Sequence, residues 1–94
     1  MVEYQITERQ EENATREGVI IFPSKRKNKK LDVYNDDGDY LLSIGDIRYK
    51  DYDIYLAEKG KDYADNRRRL YRIRHSKYKD IKGTPSYYAD KILW

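Results

Sequence analysis

The chain has 94 residues, of which 38% are hydrophobic and 39% charged, with 20 basic against 17 acidic side chains and a net charge of +3. One domain of this size buries only about 60–65% of its unfolded surface, so its core is modest. Cysteine is absent, which excludes a disulfide framework and a thiolate metal site.

Tyrosine supplies 11 rings against one Phe and one Trp. It buries a large ring and keeps a hydroxyl that needs a partner, which predicts a thin, Tyr-rich core with hydroxyls at the rim or on charged groups. The longest apolar run, Val19-Ile20-Ile21-Phe22, is strand-sized and far short of a membrane span. The opening Met1-Val2-Glu3-Tyr4 lacks the basic-then-apolar layout of a signal peptide. Residues 1–18 carry five Glu against Arg9 and Arg16, a net of −3, so the remainder carries +6. That asymmetry points to a polyanion or an acidic protein surface as partner, or to faces that are charged only for solubility.

In chain order, Val2, Tyr4 and Ile6 alternate with Glu3 and Gln5, which is strand spacing. Thr7-Glu8-Arg9-Gln10 has the form of a capping box, and Gly18 suits a helix end. Ala14 is the only apolar residue between Thr7 and Gly18, so this stretch is either a marginal helix or a disordered acidic arm. Residues 19–22 read as a strand that Pro23 ends or places at an edge. A basic loop follows, Lys25-Arg26-Lys27-Asn28-Lys29-Lys30. Strands over residues 30–34 and 40–44 flank a hairpin turn in which Asp37-Gly38 predicts a two-residue connection. Gly45-Asp46 breaks the second strand. Tyr49, Tyr52 and Tyr55 fall three apart, which predicts a loop with one short helical turn.

The main helix is expected to start between Asp62 and Asn66, capped by Asp62 or Asp65. Its buried stripe is read as Tyr63, Leu70, Tyr71 and Tyr78 with Ile73 beside them, while Arg67, Arg68, Arg69, Arg72, Arg74 and Lys77 take the other faces. His75, in the last turns, is expected to be favoured as a cation by the helix dipole. Thr84-Pro85 restarts a helix as N-cap and first position. Trp94 is expected to fold back on the sheet.

Catalytic chemistry has little to use. One His would have to serve every role, and no serine stands in an elbow or triad pattern. Asp36, Asp37 and Asp39 crowd one turn without the spacing of a calcium loop. No Gly-rich phosphate loop exists. No enzyme, metal, cofactor or small-molecule substrate is therefore expected. Binding chemistry is better supplied. Lys25, Arg26, Lys27, Lys29 and Lys30 form one candidate patch for phosphates or acidic protein, and Arg68, Arg69 and Arg72 are the outward candidates of the second. The same Arg and Tyr residues also suit a protein–protein interface.

Several motifs come in a fixed order: Ser24-Lys25-Arg26-Lys27, Ile44-Gly45-Asp46, Tyr49-Lys50-Asp51-Tyr52, Arg67-Arg68-Arg69-Leu70-Tyr71-Arg72-Ile73-Arg74-His75, Thr84-Pro85-Ser86-Tyr87-Tyr88 and Ile92-Leu93-Trp94. This order resembles a family of small uncharacterised proteins encoded by tailed bacteriophages and large DNA viruses, over residues 24–94. Ile44 stands where that family has Phe, and the acidic arm lies outside its pattern. The resemblance implies a viral protein in the virion or the host cytoplasm, and assigns no catalytic residue.

The expected fold is α+β: an acidic arm over residues 1–18, then one domain over 19–94, with a small antiparallel sheet packed against the Arg-rich helix and a short C-terminal helix. The expected function is a minor virion or assembly component that binds other virion proteins or itself through Tyr- and Arg-rich surfaces. The alternative is a small protein that binds DNA or RNA phosphates through residues 25–30 and 67–74. One continuous positive face would favour nucleic acid. Arginines paired with carboxylates would favour a protein interface.

Overall fold

The computed structural model describes residues 4–94. The strand start expected at Val2 and Glu3 lies outside the described residues, and residues 4–7 pair with no strand. The chain is α+β, with one three-stranded antiparallel sheet. It divides into two compact units, one ending at Tyr49 and the other spanning Lys50–Trp94.

The first unit opens with α1 (Glu8–Arg16), so the acidic stretch is a helix and belongs with the strands. Its capping box is complete: Thr7 Oγ1 accepts the Gln10 N–H at 3.2 Å, and Gln10 Oε1 accepts the Thr7 N–H at 3.0 Å. Gly18 ends it at φ 71°, with Gly18 N–H donating to Thr15 O and Val19 N–H to Ala14 O, both at 3.0 Å. This is the left-handed glycine stop that satisfies carbonyls of the last turn. The helix stands without an apolar stripe because its inner face is polar and paired. Gln10, Asn13 and Ala14 are buried. Gln10 Nε2 donates to the Tyr4 hydroxyl at 2.8 Å, and Arg16 donates to Asn13 Oδ1 at 2.9 Å.

The sheet follows as β1 (Ile20–Pro23), β2 (Lys29–Tyr34) and β3 (Tyr40–Asp46), in spatial order β1-β2-β3. Ile21 pairs Val33, which pairs Leu42, and Leu31 pairs Ile44. These residues share one face, and Ile21, Leu31, Val33 and Ile44 are all at most 4% exposed. Each such burial stabilises by about 1.5–3 kcal/mol, so this face is the core of the sheet. The opposite face carries Ile20, Phe22, Asp32, Tyr34, Tyr40 and Ser43, through the pairs Ile20–Tyr34, Phe22–Asp32, Asp32–Ser43 and Tyr34–Tyr40.

The β2–β3 turn is longer than Asp37-Gly38 suggests. A two-residue turn of the expected type needs two positive φ values, and only Gly38 has one, at 88°. The loop is Asp36-Asp37-Gly38, closed by Gly38 N–H to Asn35 O at 3.0 Å and Asn35 N–H to Asp39 O at 2.9 Å. Asn35 Oδ1 accepts the N–H of both Asp37 and Asp39, which fixes the turn from inside. A bulge between Val33 and Tyr34 takes up the extra residue. Gly45 and Asp46 continue β3 instead of breaking it.

The second unit is helical. Where a loop with one short helical turn was expected, Asp51 caps a longer helix, α2 (Tyr52–Lys59), by accepting the Ile54 N–H at 3.2 Å. The three-residue tyrosine spacing thus includes one helix face. Gly60, at φ 87°, is the whole link between α2 and α3 (Lys61–Arg74). It takes the place of the expected Asp cap, because a one-residue reversal needs a backbone that L side chains rarely adopt. Thr84 caps α4 (Pro85–Tyr88) through the Tyr87 N–H at 3.1 Å. The helix runs on as a π turn, Ala89–Leu93, in which Trp94 N–H reaches Ala89 O at 3.2 Å.

The predicted stripe of α3 is corrected. Only Ala64 and Tyr71 are buried on this helix, while Tyr63, Ile73 and Tyr78 are exposed. Tyr71 is held between two rings instead. It stacks on Trp94 at 4.4 Å and on His75 at 4.2 Å. Trp94 also meets Tyr55, at 6.3 Å, so the rings it meets lie on the helices of its own unit.

Candidate functional site

The second unit takes up most of the arginine run in its own folding. Asp65 accepts from Tyr52 at 2.7 Å, Lys61 at 2.7 Å and Arg68 at 3.2 Å. The Arg68 guanidinium also lies over the Tyr52 ring at 4.3 Å, and Arg67 lies over Tyr55 at 5.2 Å. Arg72 Nε donates to Asp90 at 2.9 Å, and Asp90 is 2% exposed. Lys91 adds a second cation to Asp90 at 3.2 Å. Of the three outward candidates, Arg68 and Arg72 are therefore committed to carboxylates, and Arg69 is exposed with a bond to Asn66. Surface pairs of this kind are individually weak, but a buried carboxylate such as Asp90 needs its cation.

His75 departs from expectation in the same unit. Burial, with the neighbouring Arg74, holds its pKa below the ordinary 6.5 although Asp90 opposes the shift. Contact with the Tyr71 ring and loss of water outweigh the helix dipole here. Tyr71 is pushed up to about 12, chiefly by burial and then by Asp90.

The first unit presents a different surface on the face of the sheet opposite its core. Phe22, Tyr34 and Tyr40 form a ladder across the three strands, with ring centroids 5.6 and 5.7 Å apart and edge-to-face geometry. Phe22 is 54% exposed and Tyr40 47%. Beside the ladder lies an open groove of about 530 Å³, lined by Ile20, Phe22, Pro23, Lys25, Asp32, Tyr34 and Gly38.

Asp32 is the groove's one buried charge. It sits at 4% exposure, opposite Phe22 on one side and Ser43 on the other. Its Oδ1 accepts the hydroxyls of Ser24 at 2.5 Å and Ser43 at 2.6 Å, and its Oδ2 accepts the Lys25 N–H at 3.1 Å. Burial pushes its pKa up, but the two hydroxyls, the Lys25 N–H and the charge of Arg26 together carry it below the ordinary 3.8. The carboxylate is thus ionised at neutral pH. These bonds also shape the basic loop. They draw Ser24 and Lys25 onto the sheet, and Ser24 Oγ accepts the Arg26 N–H at 3.0 Å. Arg26 Nη1 reaches the Tyr40 hydroxyl at 3.4 Å, and that hydroxyl bonds Ser43 at 2.7 Å. The bond with Ser43, followed by that with Arg26, lowers the Tyr40 pKa.

The five basic residues expected at this loop do not act as one patch. Lys25, Arg26 and Lys27 are exposed. Lys29 is half-buried and stands opposite Asp46 in the β2–β3 register. Lys30 is 2% exposed, with its ammonium over the Tyr4 ring at 5.2 Å, so it is corrected from a surface residue to a buried one. Asn28 takes φ 66° to turn the loop. Phe22, Tyr34, Asp32 and Ser43 were not among the residues expected at a site. Their signal was present as strand alternation, which puts all four on the face opposite Leu31 and Val33.

Among the described residues, no group of three or more His, Cys, Asp or Glu side chains could hold a metal ion, and no helix is long and apolar enough to cross a membrane. Asp80, which with Lys82 has the Asp-x-Lys spacing of a nuclease core, pairs at the surface with Lys79 at 2.7 Å and Lys91 at 3.6 Å. No protein-family model, curated protein or solved structure matches the chain.

Proposed function

We propose that this chain is a non-enzymatic binding module that holds single-stranded nucleic acid on the open face of its sheet. The observation that carries the reading is the ladder Phe22–Tyr34–Tyr40, exposed at its two outer rings, next to the exposed cations Lys25, Arg26 and Lys27. Rings accept bases of any sequence by stacking, and cations beside them take the phosphates. A duplex hides its base faces, so a ladder of rings favours an unpaired strand. This reading keeps the basic loop of residues 25–27 and gives up the helix over 67–74, whose cations are largely used at home.

The test is fluorescence anisotropy with labelled dodecamers of single-stranded RNA and DNA, titrated with salt. Binding should weaken steeply with salt, with a slope of about −0.7 per phosphate contacted. Phe22→Ala should cost about 1–3 kcal/mol of affinity. No binding at about 50 mM salt, or unchanged affinity in a folded Phe22→Ala variant, would sink the reading.

A second reading, a minor virion or assembly component, is supported by the other unit. There Arg68 and Arg72 pair with carboxylates, and Ile73, Tyr78 and Ile81 are each about half-exposed or more. Paired arginines beside exposed apolar side chains suit a protein partner better than phosphates. Mass spectrometry of purified virions checks it, and absence of the chain from them removes it.

A further inference from the structure

Resting on the nucleic-acid reading, we propose that Tyr40 is a positioning residue: its hydroxyl holds the Arg26 guanidinium as a fixed fork for a phosphate, beside the exposed ring on which a base stacks. The direction of the protons supports this assignment. Ser43 has one hydroxyl proton and gives it to Asp32 Oδ1 at 2.6 Å, because an ionised carboxylate only accepts. The bond of 2.7 Å between Tyr40 and Ser43 therefore runs from Tyr40 to Ser43. The Tyr40 proton points inward, and its oxygen keeps only acceptor capacity on the outside. Such an oxygen repels a phosphate but takes a guanidinium N–H, which it does from Arg26 Nη1 at 3.4 Å. Ser24 repeats the pattern at the main chain. It gives its proton to Asp32 and accepts the Arg26 N–H at 3.0 Å. Arg26 is thus tethered at its backbone and at its guanidinium, both times by a neutral oxygen. Arg48, Arg68 and Arg72 instead end on Asp46, Asp65 and Asp90. No ion pair among the described residues takes Arg26. Its charge is held in place without being neutralised, and its other guanidinium N–H donors stay open for a two-pronged grip on a phosphate.

The experiment is a double-mutant cycle read by anisotropy with the same labelled RNA and DNA dodecamers. Tyr40→Phe keeps the ring and removes the hydroxyl, with circular dichroism confirming the fold. It should weaken binding about threefold. The salt slope should not change, because no charge is lost. Arg26→Ala should weaken binding further and reduce the slope by about 0.7. In the Arg26→Ala background, Tyr40→Phe should cost nothing more. Arg26→Lys keeps the charge but not the fork, so it should lose affinity at an unchanged slope. NMR relaxation on the native chain gives a readout that needs no variant. The Arg26 Nε–H order parameter should exceed about 0.6 before any ligand is added. Arg74, exposed and without a side-chain hydrogen bond or ion pair among the described residues, should fall below that value. Three results overturn the positioning role and leave the proposed function standing: unchanged affinity in folded Tyr40→Phe, an equal loss from Tyr40→Phe with and without Arg26, or an Arg26 as mobile as Arg74. Failure of the native chain to bind any strand overturns both.

Discussion

The helices of Lys50–Trp94 and the loop of residues 25–27 use positive charge in opposite ways. In Lys50–Trp94, Lys61, Arg68, Arg72, Lys79 and Lys91 end on carboxylates, and Arg67 and Arg68 also cover tyrosine rings. In the unit ending at Tyr49, no ion pair among the described residues takes Lys25 or Lys27. The same contrast holds for aromatic rings. Tyr71 and Trp94 are buried in a stack, whereas Phe22 and Tyr40 stand open on the sheet. A dense arginine run is therefore a poor guide to a binding surface when acidic and aromatic residues lie at helical spacing around it. The sparser basic loop beside an alternating strand leaves its cations and two of the neighbouring rings open to solvent.

The largest effect should come from breaking the stack. Trp94→Ala removes a ring that is 8% exposed and packed on Tyr71, and should cost about 3–5 kcal/mol, measured by urea unfolding. Phe22→Ala, on an exposed ring, should cost far less stability and lower only ligand affinity. Equal losses of stability for the two would erase the contrast between the units.

Alkaline titration sharpens the same point. The Tyr71 pKa is about 12 in the folded chain against an ordinary 10.0. A raised folded value means that this contribution is whole below pH 10 and is lost as pH rises through about 12. A difference of that size corresponds to about 2–3 kcal/mol of stability. Trp94 is the only tryptophan, so its fluorescence reports the loss directly. A stack that loosens at or below pH 10 would contradict the burial of Tyr71.

These effects also mark what was legible in the sequence. The α+β class and the three strands could be read from alternation and turn chemistry, and α1 had a readable capping box. The stripe of α3 could not. Ile73 and Tyr78 are spaced as core residues, yet Tyr71 finds its partners along the helix at His75 and far down the chain at Trp94. No local pattern encodes a contact between residues 71 and 94. The partner of Arg72 was equally hidden, because Asp90 follows it by 18 positions, whereas Arg68 pairs with Asp65 one turn away and covers Tyr52 in the preceding segment, where Asp and Tyr partners were to be expected. Asp32 escaped notice because an acidic residue in a strand reads as a solvent-facing one. Its burial depends on Ser24 and Ser43 arriving from two other segments.

A smaller effect separates the paired arginines from the open lysines. Arg72→Met leaves Asp90, 2% exposed, with only the Lys91 ammonium at 3.2 Å. The Arg72 side chain is 44% exposed, so solvent already screens the pair. The loss should be about 1–2 kcal/mol in urea unfolding. Nucleic-acid affinity should not change. A fall in affinity without a fall in stability would return the arginine helix to the binding surface.

The smallest stability effect belongs to the double variant Lys25→Ala/Lys27→Ala, and it tests the contrast most directly. Both side chains are exposed, and neither supplies a side-chain bond to the loop, which is held through the Lys25 N–H and Ser24 on Asp32. Removing them should therefore leave unfolding stability within about 0.5 kcal/mol of the native chain. Binding should respond quite differently. Two lost phosphate contacts would reduce the slope of log affinity against log salt by about 1.4. The ladder would remain, so residual affinity at low salt should still depend on Phe22. If the double variant binds with an unchanged salt slope, the phosphates lie elsewhere, and the open face of the sheet holds its ligand by rings alone.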